Sequence, residues 1–201
     1  MVNGSKYSGS FQAFKASPNS GKTHYFINCL SSNSEIGFSV GNRGNTYVYN
    51  CTSVDSSVKG FNISEDLPVN NVVIRNCLSK KIAGSDFVLS ADKGGTHDVQ
   101  YCASSDATAD DFGGSGNRIN QTFTFVDEAG DKFQPSKDDQ GAKGHGIDLS
   151  SDSVYPFSDD IAGNNRTVPW DIGAWKAKSL IASKLKDRNS FFNSLIQTSG
   201  Q

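Results

Sequence analysis

The chain has 201 residues, 35% of them hydrophobic and 20% charged, with a net charge of −2, enough for one large or two small domains around a narrow core. So even a balance of charge excludes an electrostatic grip on nucleic acid and a polybasic membrane anchor. Gly, Ser and Asn are abundant, yet 13 Phe and 10% aromatic residues point to an ordered, turn-rich chain rather than a disordered one.

Met1 to Ser10 has no basic segment followed by an apolar run, and no stretch of the chain is apolar for long enough to span a bilayer. Two origins stay open: maturation in the cytoplasm, or excision from a longer secreted chain. Cys29, Cys51, Cys77 and Cys102 follow at intervals of 22, 26 and 25 residues, in the contexts FINCLS, VYNCTS, IRNCLS and QYCASS. About ten residues after each Cys comes a second short element: Gly37-Phe38-Ser39-Val40, Gly60-Phe61-Asn62-Ile63, Asp86-Phe87-Val88-Leu89 and, weakly, Asp111-Phe112-Gly113. Gly146-Ile147-Asp148-Leu149 reads as a later copy. Phe26, Val48, Ile74 and Val99 form one inward column, and Phe38, Phe61, Phe87 and Phe112 another. A helix-free unit of this length, unable to bury its face alone, is one coil of a parallel β-solenoid.

The apolar-x-apolar-x-Asn-Cys pattern resembles the right-handed parallel β-helix, or pectate-lyase-like, family over roughly residues 9 to 114. The resemblance implies an all-β right-handed solenoid of about five coils and places Asn28, Asn50 and Asn76 in a stacked turn ladder that Tyr101 breaks. Phe123 to Asp127 and Gly130 to Phe133 look like a last hairpin. Asp160-Ile161-Ala162-Gly163-Asn164-Asn165-Arg166 with Asp171-Ile172-Gly173-Ala174 is similar to a D-x-x-G-x-x-R…DIGA closure of phage and bacterial β-helix chains, in which Asp160 and Arg166 would form a charge-assisted pair. The chain then divides into a solenoid with its closure, residues 1–173, and a tail, residues 174–201. Ile181, Leu185, Phe192 and Ile196 have near-helical spacing, predicting a helix that caps the open end of the solenoid, or docks another subunit through Phe191 and Phe192.

The Cys column has strand spacing, but its Cβ vectors run parallel, favouring buried free thiols over disulfides. A polysaccharide lyase of the pectate or alginate type would use Lys15 as base beside a calcium-binding carboxylate cluster; the aspartates expected near Gly37 and Gly60 are missing, and no other cofactor is implied. A glycosidase needs facing carboxylates, whereas Asp110/Asp111, Asp138/Asp139 and Asp159/Asp160 are adjacent, so on a strand they would point to opposite faces; the reading favoured for them is solvated turn residues. His24, His97 and His145 have neither a nucleophile motif nor metal-ligand spacing around them. A glycan-binding face would use Gln12, Ser39, Asn62 and Asp148 as hydrogen-bonding groups, with Tyr25 and Tyr47 as stacking platforms. The sequence thus favours a non-enzymatic module with no catalytic residue and no metal: a phage or viral particle component, such as a decoration or tail protein, or a glycan-binding surface protein, partnered by other subunits or a polysaccharide and located on a virion or cell surface. A secreted lyase, or a fragment of one, is the alternative.

Overall fold

A computed structural model describes residues 2–3, 6–8, 12–16, 21–41, 44–64, 71–92 and 94–178. Each turn of chain contributes three short strands. In chain order they are β1 (Val2–Asn3), β2 (Lys6–Ser8) and β3 (Gln12–Lys15); β4 (His24–Ile27), β5 (Leu30–Ser32) and β6 (Ile36–Val40); β7 (Thr46–Tyr49), β8 (Thr52–Ser56) and β9 (Lys59–Ser64); β10 (Asn71–Arg75), β11 (Leu78–Lys81) and β12 (Ser85–Ala91); and finally β13 (Thr96–Gln100) and β14 (Ala103–Ser104). First, second and third strands stack into three parallel sheets, A, B and C. The result is a parallel β-solenoid of about three full turns, β4 to β12, with short strands before and a partial turn after. The expected five coils shrink accordingly: the first holds strands of two to four residues, and the last has no third strand among the described residues.

In-register stacking brings identical residues to one strand spacing, about 4.8 Å. Phe14, Phe38, Phe61 and Phe87 consequently stack ring on ring at 4.8, 4.8 and 4.9 Å, within 10° of parallel. They share the bore with the Phe26, Val48, Ile74 and Val99 column and with the four cysteines, all buried. No disulfide joins the four cysteines; Cys51 Sγ donates to the carbonyls of Phe26 and Tyr49, and Cys77 Sγ to those of Val48 and Arg75.

The third wall of the bore is made of small residues. Ser31, Ser53, Ser79 and Ser104 occupy one register of sheet B, fully buried, and face Gly37 and Gly60. A Cβ on Gly37 would stand 2.2 Å from Ser53 Oγ, and one on Gly60 would stand 1.9 Å from Ser79 Oγ and 2.7 Å from the Asp86 carbonyl. Glycine is therefore required by close approach of two walls. The next turn has Asp86 here, whose carboxylate fills the gap: Oδ1 accepts from Ser79 Oγ at 2.6 Å, and Oδ2 from Ser105 N, Ser105 Oγ and Asp106 N. Burial raises the Asp86 pKa despite those donors, with the neighbouring Asp106 charge adding to the rise.

Residues 107–119 close the end of the bore. Ala109, Phe112 and Ile119 pack on the core, and a 3-10 turn spans Thr108–Asp110. Asn117 accepts from Cys102 N through Oδ1 and donates to the carbonyls of Val99, Ala109 and Gly114 through Nδ2. The lid role expected of a C-terminal helix is thus filled, at this end, by a loop satisfying the last strands' edge groups. The described part of the predicted helix, 174–178, is not helical; the remainder, with Phe191 and Phe192, lies outside the described residues. Ala174 and Trp175 are buried in the fold, so the packed unit runs past the expected boundary at 173.

The second half wraps the outside. A hairpin of β15 (Phe125–Asp127) and β16 (Lys132–Pro135) brings Phe123, Phe125 and Phe133, with Ile172 and Trp175, onto Leu30, Val54 and Leu78 on the outer face of sheet B. Leu149 and Trp170, with Ile147, Tyr155 and Phe157, cover Ile27 and Tyr49 on the outer face of sheet A. Gly146 to Leu149 is accordingly no further coil: Gly146 makes an antiparallel bridge with Trp170.

Gly60→Ala should lower stability by about 2 kcal/mol or more, the usual cost of overpacking a full core, read as a drop in urea midpoint at unchanged slope. A wild-type midpoint would contradict the close approach of the two walls.

Candidate functional site

The strongest concentration of buried polar groups lies at the bend from sheet A to sheet B. Asn28, Asn50, Asn76 and Tyr101 all take the left-handed conformation there, with φ between 49° and 53°, a region that asparagine visits far more readily than most residues. Tyr101 therefore keeps the turn of its column; what it lacks is the side-chain amide. Asn76 Nδ2 donates to Asn50 Oδ1 at 3.2 Å and to the Ile147 carbonyl at 2.7 Å, while Asn76 Oδ1 accepts from Ile147 N at 2.8 Å. Asn50 Nδ2 reaches the carbonyls of Asp171 and Gly173, and Asn28 Nδ2 that of Asp159. The amides thus serve two ends at once, holding the turn and gripping the segment wrapped over it.

Arg166 completes the joint. Its guanidinium, buried, makes five hydrogen bonds: Nε to the Asp159 carbonyl, Nη1 to that of Asp171, and Nη2 to Asn28 Oδ1 and the carbonyls of Gly173 and Ala174. It also lies 5.4 Å from the Trp170 ring centroid. Burial lowers its pKa to about 10, while Asp160, Asp171 and Asp159 pull the other way. The direct Asp160–Arg166 pair expected from the closure pattern takes a different form. Asp160 accepts from the backbone of Ala162, Asn164 and Lys176, and Asp171 from Gly144 N and Ala177 N. Each charged group is met by backbone dipoles, and the carboxylates act on Arg166 through space.

The residues proposed for glycan contact do not converge. Tyr25 and Tyr47 stack at 5.4 Å but are half-buried beneath the wrap, Tyr25 lying 5.7 Å from Tyr155. Ser39 and Asn62 share one column of sheet C yet are only 6% and 7% exposed. Asn62 Oδ1 is engaged by Lys59 Nζ and Ser90 Oγ. Gln12 aligns with Ile36 and Lys59, so the column is headed by Lys15, not Gln12. Asp148 sits on the wrap, exposed, accepting from Ser150 N.

Lys15 is exposed beside Ser39 in β6. The doublets lie in turns and loops: Asp110 and Asp111 are both exposed, whereas Asp139 is buried, accepting from Thr124 N, Ala142 N and Lys143 N, and Asp138 is exposed. His24 and His97 stand in one column of sheet A separated by Thr46 and Val72. Among the described residues no three His, Cys, Asp or Glu side chains gather as a metal-ligand set. Burial pushes the Cys51 and Cys77 thiols well above the usual range.

Two features escaped the sequence. Arg75 links Asp98 at 2.8 Å and Asp152 at 3.4 Å, and Asp152 accepts from Val154 N and Tyr155 N, setting the turn that lays Tyr155 on sheet A. These three residues lie far apart in the chain, and only the Asp152-x-x-Tyr155 spacing of a turn was legible. The second is a lysine-lined depression of about 590 Å³ beside Val168 and Pro169. Comparison of the chain with family models, curated proteins and solved structures finds no match. Its function must therefore be argued from this geometry.

Arg166→Lys should cost about 3 kcal/mol, because one ammonium cannot replace a fork that serves five acceptors. The loss would be read in urea melts, with faster proteolysis inside 140–175. Wild-type stability in the lysine variant would show that the wrap does not depend on this guanidinium.

Proposed function

We propose that this protein is a non-enzymatic, rigid module that assembles into or onto a larger particle, as a viral or phage decoration or tail component, or serves as a glycan-binding surface protein. The carrying observation is that the chain clads its own solenoid. The outer faces of sheets A and B are covered by residues from 123–175, so two of the three sheet faces offer no groove to a polymer; Lys15 lies on the third, sheet C, beside Ser39 rather than a carboxylate. Buried carboxylates at Asp86, Asp139, Asp160 and Asp171 serve backbone amides rather than one another. The finer family reading, a right-handed pectate-lyase-like coil with a phage-type closure, is supported by the Asn-Cys repeats and by the position of Arg166 against Asn28.

On this reading residues 179–201 are a docking segment rather than a lid, since 107–119 already closes one end of the bore. Phe191 and Phe192 contact another subunit, and the reduced, buried thiols suit maturation in the cytoplasm before placement on a virion or cell surface. No cofactor takes part.

Ending the chain after Lys178 tests this. The truncated chain should melt within a few degrees of the full one, while the full chain alone forms higher oligomers in analytical ultracentrifugation. Neither should release unsaturated ends from polyuronates, with or without calcium. A monomeric full chain, or lyase activity abolished by Lys15→Ala, would overturn the proposal.

A further inference from the structure

The depression between the 137–144 turn and the closing segment gathers Lys137, Lys143, Lys176 and Lys178 around an apolar floor of Val168 and Pro169, with a volume of about 590 Å³. In a chain of net charge −2 this is a local reversal of sign. The lining carboxylate, Asp171, has its two oxygens bound by Gly144 N and Ala177 N, each at 2.7 Å, and Asp138 pairs with Lys137. An excess of two positive charges remains. Two of the ammonium groups are held in place by the backbone: Lys143 Nζ donates to the Lys137 carbonyl at 2.6 Å and Lys176 Nζ to the Asn165 carbonyl at 3.0 Å. An ammonium has three donors, so each keeps two for a ligand. Val168 is 72% exposed, an apolar surface left bare between cations.

We propose that this cleft binds a sugar bearing a phosphate or sulfate ester. A cluster of lysine ammonium groups suits a tetrahedral ester with three acceptor oxygens; a planar carboxylate is matched better by an arginine fork, and among the described residues no arginine lines the cleft. A phosphate ester, at about −1.5 to −2 near neutral pH, also neutralises the charge excess that one carboxylate would leave half compensated. Val168 and Pro169 offer the C–H face of a sugar ring an apolar seat, and among the described residues no aromatic side chain lines the cleft to stack a nucleobase. The volume falls in the usual range for small-ligand sites, about 300 to 1,000 Å³. The described lining of the cleft comes from residues 137–178, so the inference is argued apart from the assembly role given to 179–201.

The full chain would be titrated with glucose 6-phosphate, glucose 6-sulfate, glucuronate and glucose, following the backbone amide resonances of Gly144 and Ala177. Saturable shifts are expected with at least one ester, the stronger binder identifying which; glucuronate should bind about tenfold more weakly and glucose not at all. Raising NaCl to about 0.5 M should weaken ester binding roughly tenfold, as should Lys137→Gln combined with Lys178→Gln, neither of which holds the fold through its ammonium. Absence of saturable shifts with both esters, an unchanged affinity in the double variant, or tighter binding of a single-stranded oligonucleotide at these amides would overturn the assignment. Should the double variant melt early, the salt dependence of the wild-type chain decides.

Discussion

Everything in this molecule depends on the left-handed bend between sheets A and B. A parallel stack requires each turn of chain to change direction at the same place, so the same backbone strain recurs at every level. Asparagine tolerates φ near +50° and carries an amide that can bond the neighbouring level. Here that amide does more. Because Asn28, Asn50 and Asn76 point their amides outward at a corner, they present a column of donors and acceptors to any segment laid across them, and residues 146–174 use it.

The wrap follows from that column together with one charge. Arg166 is the only buried arginine among the described residues, a costly state unless its donors are matched. Five acceptors match them, drawn from Asn28 in the first full turn and from Asp159, Asp171, Gly173 and Ala174 in the closure. The same geometry lays aromatic residues on both flanks: Phe157 and Trp170 over sheet A, Phe125 and Phe133 over sheet B. A solenoid of three turns has little bore to bury. Its outer faces supply a second and a third apolar cluster, and that is how 35% hydrophobic content sustains the fold.

The solenoid was legible because its constraint is periodic. Cys29, Cys51 and Cys77 recur with their asparagines, and the Phe column with its glycines, since each turn meets the same walls. The wrap was less so: Arg166 and Asp160 could be singled out from the closure pattern, but acceptors 138 residues away on Asn28 leave no local trace. Gly146 to Leu149 imitates a coil because it, too, is a short extended piece with alternating apolar residues; only the antiparallel bridge to Trp170 distinguishes it. The glycan face assumed that alternate residues of sheet C would be open, and side chains such as Lys59 folded over Asn62 are invisible to periodicity. The lysine cleft draws on four positions spread over some forty residues, without a repeat to announce them.

Hydrogen exchange at single amides tests most directly whether solenoid and wrap are one cooperative body. Asn50 N and Asn76 N bond within the coils, to the carbonyls of Arg75 and Gln100, whereas Gly146 N, Ile172 N and Ala174 N bond within the wrap or from it to Thr52. If the Asn ladder and Arg166 join them, all five should exchange with the same opening free energy, equal to that of global unfolding. Exchange of Gly146, Ile172 and Ala174 orders of magnitude faster than Asn50 and Asn76 would contradict the account.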